Sequence, residues 1–192
     1  MKFLFLFSCL LITAYGEAQL TTKVEWTEKT SMPASEIIYY NPSNKLVWAN
    51  FKGKPQDLGG RTAAITMSGF GYAASMHSTG KTGELTVQVY CFFNKNKSWV
   101  KPGKTTDYIL AHEQHHFDIA YIAANIFIDK LQSAVMTPGN YNVLLPRIYN
   151  ECIEVMNAMQ DDYDNETRNG QEIEMQSKWN KFINDKIGLI TK

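Results

Sequence analysis

The chain carries no excess of charge: 19 basic side chains answer 19 acidic ones over 192 residues. Without a field of one sign there is nothing to gather a polyanion, so the composition argues against nucleic acid as the main partner. Glycine and proline are sparse, at 12 and 6, and no repeat or low-complexity tract is present. With 44% apolar, 12% aromatic and 20% charged residues, the chain is composed like an ordinary globular protein. Collagen, a coiled-coil rod and a disordered chain are excluded on those grounds. Long hydrophobic runs are also missing beyond the first residues, so the mature chain is expected to hold no transmembrane segment.

Those first residues stand apart. Met1 and Lys2 are followed by an apolar run from Phe3 to Ile12, then by Ala14, Tyr15 and Gly16. One positive charge, an apolar stretch too short to span a bilayer and small residues at a cleavage position make a signal peptide. Residues 1–18 are therefore expected to be removed, with cleavage after Gly16 or Ala18. Residues 19–192 are left as one domain, secreted or periplasmic in a bacterium of the Gram-negative type. Lipid attachment at Cys9 is the lesser reading, because bulky Phe7 stands where a small residue is wanted. Export leaves Cys91 and Cys152, for which one disulfide is the economical expectation in an oxidising compartment. It would close a loop of about 60 residues, worth roughly 3 to 4 kcal/mol in the chain-entropy account. Two buried free thiols are the alternative.

The pattern of side chains places strands first and helices second. After a short polar lead, Glu36 to Tyr40 and Leu46 to Phe51 are β-branched and aromatic on either side of the turn-forming Asn41-Pro42-Ser43-Asn44, and read as strands. Ala63–Met76 and Glu84–Phe93 read as two long strands of an antiparallel hairpin, with alternation along the second. From Thr106 onward the period becomes helical: Ile109, Ile119, Ala120, Ala123, Ile126, Phe127, Leu131 and Ala134 share one face. Gln114, Asp118, Tyr121, Asn125, Asp129 and Gln132 share the other, which the pattern leaves to solvent. Thr106 is the expected N-cap and Thr137-Pro138-Gly139 the stop. A second helix is expected from about Pro146 to Arg168, ending at Asn169-Gly170, and a third from about Gln171 to Lys186. The fold class is α+β, an N-terminal antiparallel sheet packed against about three C-terminal helices.

The first of these helices carries His112-Glu113-Gln114-His115-His116, an H-E-x-x-H pattern. Residues four apart stand one turn apart on the same face, so the imidazoles of His112 and His116 can converge on one metal ion. Glu113 lies about 100° round the helix, where its carboxylate can take a proton from a metal-activated water. A zincin-like active-site helix with zinc as its metal is the expectation, and the pattern is rare by chance in a chain with four histidines. The competing reading has these histidines merely continuing the core face. His115, on the flank, is expected at the rim, and Asp118 on the solvated face.

A third ligand is harder to place. The longer metzincin motif would put glycine at 119 and histidine at 122, where this chain has Ile119 and Ile122, so that class is excluded. A carboxylate from a later helix is the remaining source, and Glu151, Glu154, Asp161, Asp162, Asp164 and Glu166 are all available.

The chain resembles the bacterial predicted secreted zinc-dependent proteases, a family catalogued largely as a domain of unknown function. The resemblance covers most of the mature chain. It runs through Lys45-Leu46-Val47-Trp48-Ala49-Asn50-Phe51-Lys52-Gly53-Lys54-Pro55, Ala63-Ala64-Ile65-Thr66, Cys91-Phe92-Phe93, Lys97-Ser98-Trp99-Val100 and His112 to Ile119. Near the end it includes Tyr163-Asp164-Asn165-Glu166-Thr167, then Gln176 and Trp179. It implies a secreted metallopeptidase acting on a peptide or protein substrate. The family pattern Tyr-Asp-x-x-Thr-x-His has its histidine where this chain has Asn169, a poor zinc ligand, which leaves Glu166 or Asn169 itself as the expected third ligand. Tyr163 is a candidate oxyanion donor or a buried structural tyrosine. If the departure at Asn169 has cost the metal, the chain is a degenerate binding or interaction module on the same scaffold.

Overall fold

A computed structural model describes residues 19–56, 62–78 and 82–191. The expected signal peptide and Cys9 lie outside the described residues. The fold is α+β, a sheet of strands followed by three helices. Its strands are β1 (Gln19–Trp26), β2 (Ile37–Tyr39), β3 (Ala64–Ile65), β4 (Ser68–Ser78), β5 (Thr82–Asn94) and β6 (Trp99–Val100). Its helices are α1 (Asp107–Ser133), α2 (Tyr141–Thr167) and α3 (Ile173–Ile190).

The hairpin of β4 and β5 is the frame of the sheet, antiparallel from Ser68 opposite Phe93 to Ser78 opposite Gly83. Alternation along β5 buries Leu85, Val87, Val89, Cys91 and Phe93 on one face. The other edge of β5 is shared end to end by β1 and β2. β2 runs antiparallel, but β1 runs parallel to Thr82–Val89, so the sheet is mixed where an all-antiparallel one was expected. What reads as a polar lead is this strand: Leu20 and Val24, on alternate positions, pack against the core. Leu46–Phe51, expected as a strand, instead folds into a single 3-10 turn at Trp48–Asn50. The Asn50 side chain accepts from the Val47 amide at 2.8 Å, a local bond that competes with extended backbone.

Helix α1 is the centre of the molecule. It starts as expected, with the Thr106 hydroxyl accepting from the Ile109 amide. The sheet lies against one side of it, and α2 and α3 against another. Ala120, Ala123 and Ala124 are fully buried and let neighbouring backbones approach closely, while Phe117 and Phe127 fill the wider gaps. Helix α2 begins at Tyr141, ahead of the expected start, because Pro146 is tolerated inside it near the N-terminal end, where its missing amide costs one helical bond.

The expected disulfide is not made: Cys91 and Cys152 are free and buried. Cys91 belongs to the sheet face that packs on α1, and Cys152 to α2, and both lie in the hydrophobic core. Burial pushes the Cys91 thiol well above its ordinary range and keeps it protonated. No helix among the described residues is long and apolar enough to cross a membrane.

Candidate metal centre

Helices α1 and α2 run antiparallel, so residues one turn apart on one meet residues one turn apart on the other. His116 faces Gln160, and His112 faces Asp164. The pairing brings the Nε2 atoms of His112 and His116 to 3.3 Å of each other and each to 3.2 Å of Asp164 Oδ1. These three residues form a group that could hold a metal ion.

The outer nitrogens fix how the rings point. Gln160 Nε2 donates to the His116 carbonyl at 2.8 Å, which leaves Gln160 Oε1 to accept from His116 Nδ1. Gln176 Nε2 donates to Tyr163 Oη and to Asn180 Oδ1, both at 2.6 Å, which leaves Gln176 Oε1 to accept from His112 Nδ1 at 2.9 Å. Both imidazoles therefore carry a proton on Nδ1 and aim a lone pair from Nε2 at the same point, the tautomer a metal needs. Two lone pairs and a carboxylate oxygen converging at this distance demand a cation. Without a metal, a proton serves. Burial alone would lower the His116 imidazole, but the hydrogen bond and charge of Asp164, with the charge of Glu113, hold it at about 9. Burial would raise the Asp164 carboxyl, but its polar contacts with the His112 and His116 rings overcome that and hold it well below the usual carboxylate range.

Glu113 is buried, and its Oε2 has no hydrogen-bond partner among the described residues. It lines a cleft of about 840 Å³ together with His112, His116 and Asp164. An orphaned carboxylate oxygen beside such a triad has lost water without gaining a protein partner, which is costly unless a bound species uses it. The wall opposite α2 is the segment Thr62–Ser68. The Thr66 hydroxyl donates to the Glu113 carbonyl at 3.1 Å and the Ser68 hydroxyl to that of His116 at 3.2 Å, so this segment runs alongside α1 in the same direction.

The expected third ligands are placed differently. Glu166 is exposed, does not line the cleft and accepts from Trp179 Nε1 at 2.8 Å. Two residues beyond Asp164 is about 200° round a helix, so the two acids face opposite ways. Asn169 does line the cleft, in a left-handed turn with φ 55° just after α2, but is not part of the triad. Gly170 follows with φ 78°, and a Cβ there would meet His112 Nδ1 at 3.3 Å, so this turn packs tightly behind the His112 ring. Tyr163 is fully buried and stacks on His112 with centroids 4.6 Å apart. Its hydroxyl receives Gln176 and reaches back to the His112 carbonyl at 3.4 Å, so it buttresses the His112 ring from behind.

Two further expectations are corrected. His115, placed at the rim, is buried, and its Nδ1 lies 3.0 Å from Asp118 Oδ2. Asp118, placed in solvent, has no exposed surface. Its Oδ1 accepts from Tyr40 Oη at 2.8 Å, Gln114 Nε2 at 2.9 Å and Lys45 Nζ at 3.4 Å. The segment between β2 and the 3-10 turn covers this face of α1, and the Leu46 amide donates to Gln114 Oε1 at 2.8 Å. Gln160 and the contact of Gln176 with His112 were missed in the sequence, and His115 and Asp118 were misplaced. The one available signal was that Gln160 and Asp164 repeat the four-residue spacing of His112 and His116.

Compared with known protein families, with curated proteins and with solved structures, the chain matches none.

Proposed function

We propose that the chain is an exported, zinc-dependent metallopeptidase that hydrolyses peptide bonds, in line with the family it resembles. The observation that carries this reading is the convergence of His112 Nε2, His116 Nε2 and Asp164 Oδ1 beside the unpartnered Oε2 of Glu113. The three donor separations are 3.3, 3.2 and 3.2 Å. A tetrahedron with zinc-to-ligand distances of about 2.0–2.1 Å has edges of about 3.3–3.4 Å, so the residues present fit the ion. Two imidazoles and one carboxylate with an open side toward a cleft also match the donor set of catalytic zinc sites.

When bound, zinc supplies a Lewis acid that acidifies water and polarises a substrate carbonyl. His112, His116 and Asp164 would hold the ion, and Gln176 and Gln160 fix the two rings through Nδ1. Glu113 accepts the proton of the attacking water on its carboxylate and returns it to the leaving amine nitrogen. Its burial and lack of a protein partner leave the oxygen free for that transfer. The degenerate-module reading rested on Asn169, and a third donor from Asp164 removes the need for a histidine there.

Glu113→Gln tests the mechanism. The variant should keep zinc and fold while losing about 10²-fold or more in hydrolysis of an unfolded protein substrate. Equal activity in the variant and the parent, after contaminating proteases are removed, would overturn the assignment.

A further inference from the structure

The charges lining the cleft are not evenly spread. Its acids are Glu113, Asp161 and Asp164, and its bases Lys101 and Lys104. The antiparallel pairing of the helices sets the order: Asp164 is level with His112, Gln160 with His116, and Asp161 adjoins Gln160. The acids therefore sit at the metal triad or beyond it toward His116. The lysines sit at the other end. The Lys104 carbonyl accepts from the Thr106 amide at the start of α1, and the Lys101 amide donates to the Ala63 carbonyl at 2.8 Å. Because Thr66 is beside Glu113, Ala63 lies about 10 Å back along the wall at extended spacing, toward the start of α1.

Neither lysine makes an ion pair among the described residues. Arg168 and Glu172 pair with each other at 2.9 Å, and Asp107 occupies the first turn of α1 without lining the cleft. Two unpaired ammonium groups at one end of a groove, with the reacting centre in its middle, raise the local concentration of a negative group at that end.

We propose that Lys101 and Lys104 form a carboxylate subsite. The substrate of the peptidase reaction, on which this inference rests, then carries a carboxylate about two to three residues from the scissile bond, spanning the 10 Å at about 3.3 Å per residue. The carboxylate comes from an aspartate or glutamate side chain or from the C-terminus of the chain itself.

Zinc-loaded Glu113→Gln protein permits a binding test without turnover. The probes are fluorescently labelled peptides of one neutral sequence, with Glu, Gln or Lys scanned through each position and the C-terminus either free or amidated. Glu-bearing peptides should bind roughly three- to tenfold tighter than their Gln counterparts, with the advantage shrinking as salt rises. Lys101→Met with Lys104→Met should abolish the difference, and Lys101→Glu with Lys104→Glu should transfer the preference to the Lys peptides. An advantage that persists on amidation assigns the side-chain source, and one that vanishes assigns the terminus. Equal affinity for Glu, Gln and Lys peptides, or a preference unchanged in the Met variant, would overturn the subsite and leave the peptidase reading standing. The salt dependence of the parent protein decides the matter should a double variant fail to fold. Absence of binding by every peptide would overturn both.

Discussion

Asp164 and Asn169 both line the cleft, but their chemistry differs. A carboxylate oxygen is a good zinc ligand and an amide oxygen a poor one. Asp164→Ala should therefore weaken zinc binding by more than the roughly 10–100-fold that loss of an outer hydrogen-bond partner costs. Asn169→Gly, which suits the φ of 55°, and Glu166→Gln should each keep one zinc per chain. Metal analysis after dialysis separates them, and zinc retained by the Asp164 variant but lost with Asn169 would reverse the assignment. The same residues set a pH dependence in the metal-free protein. His116 is raised from 6.5 to about 9, so its protonated form contributes stability that is complete below pH 6.5 and is lost as pH climbs through about 9. Asp164 is depressed below its ordinary 3.8, so its contribution is present above that value and is lost on further acidification. In chelator, the melting temperature should be highest between these limits and fall toward pH 9. His116→Gln should flatten the alkaline limb, and an alkaline limb as steep in that variant as in the parent would place the titrating group elsewhere.

Among the elements, α1 shows what periodicity can and cannot reveal. Its start at Thr106 and the convergence of His112 and His116 were legible because capping chemistry and the four-residue turn are local, whereas it ends at Ser133, ahead of the expected stop at Thr137. The β4 and β5 hairpin was legible for the same reason, since alternation reports a half-buried sheet, but the start of the expected Ala63–Met76 strand leaves it and pairs through β3 with β6. The polar side of α1 was not. A stripe of Gln114, His115 and Asp118 looks solvated until residues 40–46 fold across it and supply Tyr40, Lys45 and the Leu46 amide as partners. Asp164 was visible as one acid among several, and the tertiary pairing of α2 with α1 selected it. This cover gives a stability prediction. Asp118 is fully buried, and its removal leaves His115, Gln114 and Tyr40 without their acceptor. Asp118→Ala should cost on the order of 3 to 5 kcal/mol, the usual consequence of breaking a buried charged network. Urea unfolding measures it, and a loss below about 1 kcal/mol, the range of an exposed ion pair, would show that the network contributes little.

In the whole molecule, the three donor atoms come from helices that are far apart in sequence and meet only in the folded state. His112 and His116 belong to α1, and Asp164 lies 52 residues beyond His112 on α2. A metal held by all three would tie α1 to α2, where no disulfide among the described residues does so. Binding free energy then becomes folding free energy, because the unfolded chain does not assemble the donors. At free zinc about 100-fold above its dissociation constant, the stabilisation is about 2.7 kcal/mol. For a domain of this size each kcal/mol moves the melting temperature by roughly 2–4 °C, so zinc should raise it by roughly 5–10 °C. Magnesium, a hard cation that prefers all-oxygen coordination, should leave it unchanged. Differential scanning fluorimetry of chelator-treated protein, with and without each ion, reads the shift directly. His112→Ala and Asp164→Ala should each remove most of it, since either substitution takes away one of the three donor atoms. An equal rise in both variants would mean that zinc stabilises the protein from another site, and the metal assignment would fall with it.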